Sequence, residues 1–245
     1  MNRYYFSGID RVSFFEILAR EGAAGMVNAQ IATQPAMTAA YERWPEIPLA
    51  LDSGAFQGVT DVDWYANVVR QIGDRFDWVA NLDVIGDQAA SDRNWEALHS
   101  QMINALWVYQ VNGGRQLGYM ASVAEVERFI GVGGLVPVMK LSVQRAMDLI
   151  GEIGRWLERS GARAHFFGVS SPLVLAEFAG EEWFASADSQ TWLSGFKSRE
   201  LLARDGGRLK CEQLGIELSR EECAAQNVRQ IHTWMSGRPI QFAML

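Results

Sequence analysis

Cysteine and histidine are scarce in this chain. Cys211 and Cys223 are its only cysteines, and His99, His165 and His232 its only histidines, in 245 residues. Two cysteines make no disulfide framework, so they are expected as reduced thiols in a cytoplasmic protein. A zinc hydrolase needs several His or Cys ligands at short spacing, and no H-x-H or C-x-x-C occurs. Cys211, Cys223 and His232 fit no common metal spacing. Neither a metal nor another cofactor is therefore expected. There is no G-x-S-x-G elbow, and Ser53-Gly54 has no evident histidine partner. A P-loop is missing too. Gly131-Val132-Gly133-Gly134 falls short of a dinucleotide fingerprint, and Pro137 stands where its phosphate-binding helix would begin.

Positive charge is also short. The formal net charge is −7, which argues against broad electrostatic capture of nucleic acid but leaves room for a local basic strip. No segment approaches the ~20 uninterrupted apolar residues of a membrane span, so no membrane partner is expected. The start, Met1-Asn2-Arg3-Tyr4-Tyr5, lacks the apolar core and small-residue cleavage site of a secretory signal. No fixed-period repeat, low-complexity stretch or Pro/Gly/Ser-rich linker divides the chain.

What is present is an alternation of short apolar runs with amphipathic stretches, and 49% hydrophobic residues. Strands are predicted at Tyr4–Ile9, Gly25–Gln30, Leu49–Ser53, Trp78–Asp83, Leu117–Ala121, Phe129–Val136, His165–Ser170 and Trp183–Asp188. They are apolar at consecutive positions, as strands buried on both faces are. Trp95, Leu98, Met102, Leu106 and Tyr109 keep helical spacing, as do Met147, Ile150, Ile153 and Leu157 between Ser142 and Arg159. Asp61 is a candidate N-cap and Gly161 a candidate C-terminal glycine. About eight strands alternating with helices predict an α/β fold, a (β/α)₈ TIM barrel filling residues 1–245 as one domain. Residues from about 196 to 245 would be a helical extension, with Trp234 in the core. A doubly wound open sheet is the alternative.

In such a barrel, catalytic groups belong at the C-terminal ends of strands. Asp52, Asp83 and Asp188 stand there, closing Leu-Ala-Leu-Asp, Val-Ala-Asn-Leu-Asp and Phe-Ala-Ser-Ala-Asp. A carboxylate at the end of a buried strand costs desolvation energy unless it is used or paired. Two acids flanking one bond can divide the work, one attacking an anomeric carbon and the other handling the leaving group's proton. The three acids point to chemistry at a glycosidic bond.

At these positions the chain resembles a family. Asp52-Ser53-Gly54-Ala55-Phe56-Gln57 is similar to the D-S-G-G-F/Y-Q motif of the tRNA-guanine transglycosylases, TIM-barrel enzymes that exchange guanine for a 7-deazaguanine. Asn81-Leu82-Asp83 resembles their base-recognition strand, Gly133-Gly134-Leu135 their G-G-L-A-V segment, and His165-Phe166-Phe167-Gly168-Val169 their Y-L-M-G-V-G. Ser186-Ala187-Asp188-Ser189 sits where they place a nucleophilic aspartate. The resemblance implies Asp188 as nucleophile on C1′ and Asp52 as general acid/base. It implies Asp83 as acceptor for the base's Watson–Crick edge, Gly134 and Leu135 as backbone contacts, and Phe56 and Phe167 as a sandwich around the ring. Ser53, with Gly54 in the same turn, would assist base contact, and Gln57 would support the loop. Met120, Met139 and Lys140 are candidates for lining the base pocket, but Lys140 is expected rather as an ion-pair partner at the barrel rim.

The chain also departs from that pattern. The C-x-C-x-x-C…H zinc arm has no counterpart. The base-contacting glutamine after the fifth strand has none either, because Tyr119-Met120-Ala121-Ser122 stands there. The pattern is closer to the compact 7-deazaguanine DNA transglycosylases of phage and bacterial DNA modification systems, which place preQ0-type bases in DNA. The partners implied are DNA, duplex or locally opened, and a free 7-deazaguanine, in a phage-infected or bacterial cytoplasm. Lys197, Arg199, Arg204, Arg208 and Lys210 follow the proposed nucleophile and would meet phosphates. The alternatives are a tRNA transglycosylase without its zinc arm, a non-catalytic nucleic-acid-binding barrel, and an unrelated barrel glycosidase acting on free nucleosides.

Overall fold

A computed structural model describes residues 2–236. Nine strand segments form one sheet in which every pair is parallel: β1 (Arg3–Ile9), β2 (Ala24–Asn28), β3 (Leu49–Asp52), β4 (Trp78–Ala80), β5 (Ala105–Leu106), β6 (Val108–Gln110), β7 (Phe129–Gly133), β8 (Arg163–Phe166) and β9 (Phe184–Ser189). Their order is β5-β4-β3-β2-β1-β9-β8-β7-β6, so the sheet's two edges are neighbours in the chain. β5 and β6 are two halves of one barrel strand, interrupted at Trp107. β5 pairs with β4 and β6 with β7, and the Trp107 carbonyl accepts the Gly131 N–H at 2.7 Å. The result is a nearly closed (β/α)₈ barrel of eight strands.

Helices follow the strands: α1 (Val12–Glu21), α2 (Ala29–Ala32), α3 (Pro35–Arg43), α4 (Val62–Ile72), α5 (Gln88–Ser100), α6 (Leu117–Glu127), α7 (Leu135–Leu141), α8 (Val143–Ser160), α9 (Pro172–Phe178), α10 (Leu193–Ser198) and α11 (Arg220–Met235). None is long and apolar enough to cross a membrane. Their ends follow local chemistry. The Asp61 carboxylate accepts the Trp64 N–H at 2.9 Å, and the Ser142 hydroxyl accepts that of Arg145 at 3.3 Å. Gly161 closes α8 at φ 65°, a left-handed conformation that costs glycine little. Ile150, Ile153 and Leu157 are buried on the inner face of α8, as their spacing predicts.

Two stretches differ from the sequence reading. Leu117–Ala121, predicted as a strand, is the first half of α6. The fifth strand instead comes from Ala105–Gln110, predicted as helix. There the three- and four-residue spacing of Leu106 and Tyr109 is coincidental. α5 stops at Ser100, and Met102 turns the chain at φ 62° with its side chain 92% exposed. Aromatic and branched residues then suit a buried strand. Strand boundaries also move: β4 ends at Ala80, so Asp83 lies three residues beyond it, and β8 ends at Phe166, just before Phe167.

The barrel interior is filled by Tyr5, Met26, Ala50, Trp78, His165 and Phe167. The larger apolar core lies between the sheet and the helices. The extension predicted as helical from 196 contains, within the described residues, an antiparallel hairpin of β10 (Glu200–Leu202) and β11 (Arg208–Lys210) before α11; residues 237–245 of that prediction lie outside the described residues. α11 packs on α1, α9 and α10, and Trp234 is buried as predicted. Cys211 and Cys223 are buried free thiols with sulfurs 3.2 Å apart, and burial pushes the Cys223 thiol up to about 12.

Candidate active site

A cavity of about 420 Å³ opens at the C-terminal ends of the strands. Asp52, the last residue of β3, lines it. So do Asp83 from the loop after β4, Gln110 at the end of β6, Gly134 after β7, Phe167 after β8 and Asp188 from β9. The fold thus brings together the three carboxylates that the sequence separates by up to 136 positions.

Asp188 is held from below. Its Oδ1 accepts the Gly168 N–H at 2.9 Å and lies 3.3 Å from His165 Nε2. His165 is wholly buried, with its Nδ1 2.8 Å from the Ser186 hydroxyl oxygen. Burial lowers the His165 pKa, which favours the neutral ring. The tautomer that serves both contacts carries its proton on Nε2, donates it to Asp188 and accepts from Ser186 at Nδ1. With both bonds on Oδ1, Asp188 Oδ2 has no hydrogen-bond partner among the described residues. Gly168 turns the chain at φ 72°, a conformation that aims its N–H at the carboxylate without the strain a side chain would bring. Sequence reasoning gives His165, Ser186 and Gly168 no role of their own. The one available signal is a histidine inside a run predicted as buried strand.

Asp52 sits in a different environment. Burial, with smaller contributions from the Asp188 and Asp83 charges, raises its pKa to about 7, and a weak bond from the Gly54 N–H at 3.3 Å opposes the shift. A carboxyl with that value can both give and take a proton near neutral pH. Gly54 adopts φ 82°, and a Cβ there would lie 2.9 Å from Val59 and 3.1 Å from Asn28. Its place in the motif is set by backbone and crowding. Ser53 is buried, and its hydroxyl accepts the Ala55 N–H at 3.4 Å. Neither Ser53, Gly54 nor Leu135 lines the cavity, and the Leu135 side chain belongs to the core. These three shape the loops that carry Asp52 and Gly134.

Asp83 and Gln110 form the other wall. Burial raises the Asp83 pKa to about 6, while a bond donated by Gln110 Nε2 to Asp83 Oδ2 holds it down. Gln110 is buried, its backbone N–H donates to Gln88 Oε1 at 2.7 Å, and among the described residues its own Oε1 has no partner. The sequence reading finds no glutamine after the fifth strand because it puts that strand at Leu117–Ala121. The strand at Val108–Gln110 supplies one.

Phe56 lies on a 3₁₀ turn (Ala55–Gln57) at the mouth and is 83% exposed. Phe167 lies deeper, edge-on to His165 with ring centroids 4.4 Å apart. Both line the cavity, as does Gln57. Among the described residues, Lys140 is the one cationic side chain lining it and forms no ion pair, which corrects the expected partnership at the rim. Met120 and Met139 do not line the cavity, and Met120 is part of the core.

The five basic residues after Asp188 do not form one strip. Only Lys197 faces a groove that Asp52 also lines. Arg199 and Lys210 line a separate groove beside Cys211. Arg208 pairs with Glu200 across the hairpin at 3.8 Å, and the Arg204 carbonyl accepts from Trp234 Nε1 at 3.1 Å. Among the described residues, no group of three or more His, Cys, Asp or Glu side chains could hold a metal ion. Compared with protein-family models and with curated proteins, the chain finds no match.

Proposed function

We propose that the chain is a base-exchange transglycosylase that replaces guanine in DNA with a 7-deazaguanine of the preQ0 type through a covalent aspartyl–sugar intermediate. The observation that carries this reading is that Asp52 and Asp188 line one cavity with the acceptor pair Asp83 and Gln110 Oε1. Guanine and 7-deazaguanines share an edge of N–H donors that a carboxylate and an amide oxygen can receive. The Gln110 oxygen, which has no partner among the described residues, gains a donor when such a base enters. Phe167, and Phe56 from the mouth, offer faces for the ring.

The chemistry runs in two displacements. Asp188 Oδ2 attacks C1′, forming a C1′–O bond as the C1′–N9 bond breaks, and the Asp52 carboxylic acid supplies the proton that the departing guanine takes. The incoming base then gives its N9 proton to the Asp52 carboxylate. N9 attacks C1′ and Asp188 leaves. Two inversions retain the sugar configuration. His165 and Gly168 keep Oδ1 occupied and so orient Oδ2. DNA is preferred to tRNA because residues 189–236 form α10, a hairpin and α11, without the Cys/His arm of the tRNA enzymes.

The test is to incubate protein with a guanine-containing DNA oligonucleotide, or with tRNA, in the absence of incoming base. Denaturing electrophoresis and mass spectrometry then look for an adduct. A DNA adduct on Asp188, lost in Asp188→Asn, is expected. An adduct with tRNA alone would move the substrate to RNA. Binding with no adduct and no exchange would make the barrel a non-catalytic binder, and turnover of free guanosine would make it a nucleoside glycosidase.

A further inference from the structure

A second groove, of about 380 Å³, opens directly from the acid cavity. Met26, Asp52, Gln57 and Gln190 line both. The cavity carries three carboxylates against one lysine. The groove instead carries three cationic side chains, Arg11, Lys197 and Arg220, against Asp10 and Asp52. They come from three places in the chain, the start of α1, α10 and the start of α11.

Arg11 has Asp10 and two aromatic rings beside it. Its Nε and one terminal nitrogen donate to the two Asp10 oxygens at 2.7 and 3.2 Å, and its guanidinium carbon lies 5.1 Å from the Phe14 ring centre and 4.9 Å from that of Phe196. Its other terminal nitrogen makes no bond among the described residues. Glu221 is the second acid that Arg11 feels. Lys197 and Arg220 are exposed and, among the described residues, have no carboxylate partner. The groove's lining carries three cations against two carboxylates, in a chain whose net charge is −7.

We infer that this groove holds the phosphodiester next to the reacting nucleotide, with Arg11, Lys197 and Arg220 as its partners. The inference rests on the transglycosylase reading of the neighbouring cavity. A nucleotide whose C1′ lies between Asp52 and Asp188 must leave the cavity through its own phosphates, and the acid walls repel them. The groove is the exit that Asp52 borders. Its size suits one backbone unit of a single strand, and its cations offset the repulsion. A polymer then binds where a free nucleoside would not, which assigns the groove a role in choosing the substrate.

Binding of a fluorescent single-stranded DNA carrying one guanine tests this, measured by anisotropy across salt concentrations. Arg11→Ala/Lys197→Ala/Arg220→Ala should weaken binding at least tenfold. It should also make the salt dependence shallower, by roughly 0.7 in log–log slope for each phosphate no longer neutralised. A methylphosphonate placed singly 5′ or 3′ of the guanosine should weaken wild-type binding at one position. At that position it should add little to the loss in the triple variant. Full additivity at both positions, or a triple variant that binds DNA as wild type does, would overturn the assignment. So would a wild-type protein that binds no oligonucleotide. An RNA of the same sequence bound equally would leave the phosphate role standing and show that the groove does not select the sugar. Failure of the Asp188 adduct with these binding results intact would sink the transglycosylase reading alone.

Discussion

Asp52 couples the site's chemistry to the protein's stability. Its folded pKa of about 7 lies above the ordinary aspartate value of 3.8. The folded state therefore holds a proton that the unfolded chain has released, throughout the interval between those values. The stabilisation linked to that proton is full below about pH 4 and lost as pH rises through 7. Asp52→Asn mimics the protonated form at every pH. It should match wild type in melting temperature near pH 4 and exceed it at pH 8. The gain is at most about 4 kcal/mol, and smaller because the carboxylate keeps an open side towards the cavity. The same substitution should abolish base exchange, since an amide cannot shuttle the proton. Calorimetry at pH 4, 6 and 8 checks the first outcome. A variant no more stable than wild type at pH 8 would mean that Asp52 is not strained by its burial.

At the scale of elements, the register of β6 on β7 places Gln110 level with Gly133. A Cβ on Gly133 would lie 2.7 Å from Gln110 Nε2 and 3.2 Å from its Cδ. Gly133→Ala should force the amide aside and break its bond to Asp83. Overpacking of this kind costs about 1–3 kcal/mol. The lost donor should also raise the Asp83 pKa above its present value of about 6, the direction opposite to that bond's effect. Carboxyl NMR of Asp83 and titration of free base should show the higher pKa and an affinity reduced by tenfold or more. An unchanged Asp83 titration would mean that Gln110 keeps its place. This pair also marks what the sequence could and could not reveal. The three acids were legible because each closes an apolar run, and a buried parallel strand leaves that signature. Gln110 was not, because Leu106 and Tyr109 happen to fall at helical spacing from α5 residues, and periodicity cannot tell a short apolar strand from a helix turn. His165 was hidden in the opposite way. It sits inside the apolar pattern, and only the closure of the barrel shows that its ring faces Asp188. The cations of the second groove lie far apart in the chain, so no local pattern joins them.

For the whole molecule, α10, the hairpin and the closing helix meet on one buried side chain. Asn227 of α11 accepts the Leu202 N–H at 2.7 Å. It donates to the carbonyls of Trp192 and Glu200 at 3.2 and 2.9 Å and to the Ser194 hydroxyl at 3.3 Å. A single amide thus ties the start of α10 and the hairpin to α11, and α10 and α11 carry Lys197 and Arg220. The close seat of Gly195 against the Cys223 backbone, 2.7 Å from a Cβ to its carbonyl oxygen, leaves no slack for α11 to shift and compensate. Asn227→Leu fills a similar volume but leaves the buried Leu202 N–H and the part-buried Glu200 carbonyl without partners. The cost is about 1–3 kcal/mol for each unsatisfied group. For the two groups together that corresponds to a fall in melting temperature of roughly 4–24 °C for a chain of this size. DNA affinity should fall with it, because Lys197 and Arg220 would no longer face one groove. The pocket of Asp83 and Gln110, on the opposite side of the barrel, should still bind free base below the new melting temperature. Loss of free-base binding in parallel with DNA binding would show that the hairpin and α11 support the entire barrel rather than the side that meets the polymer.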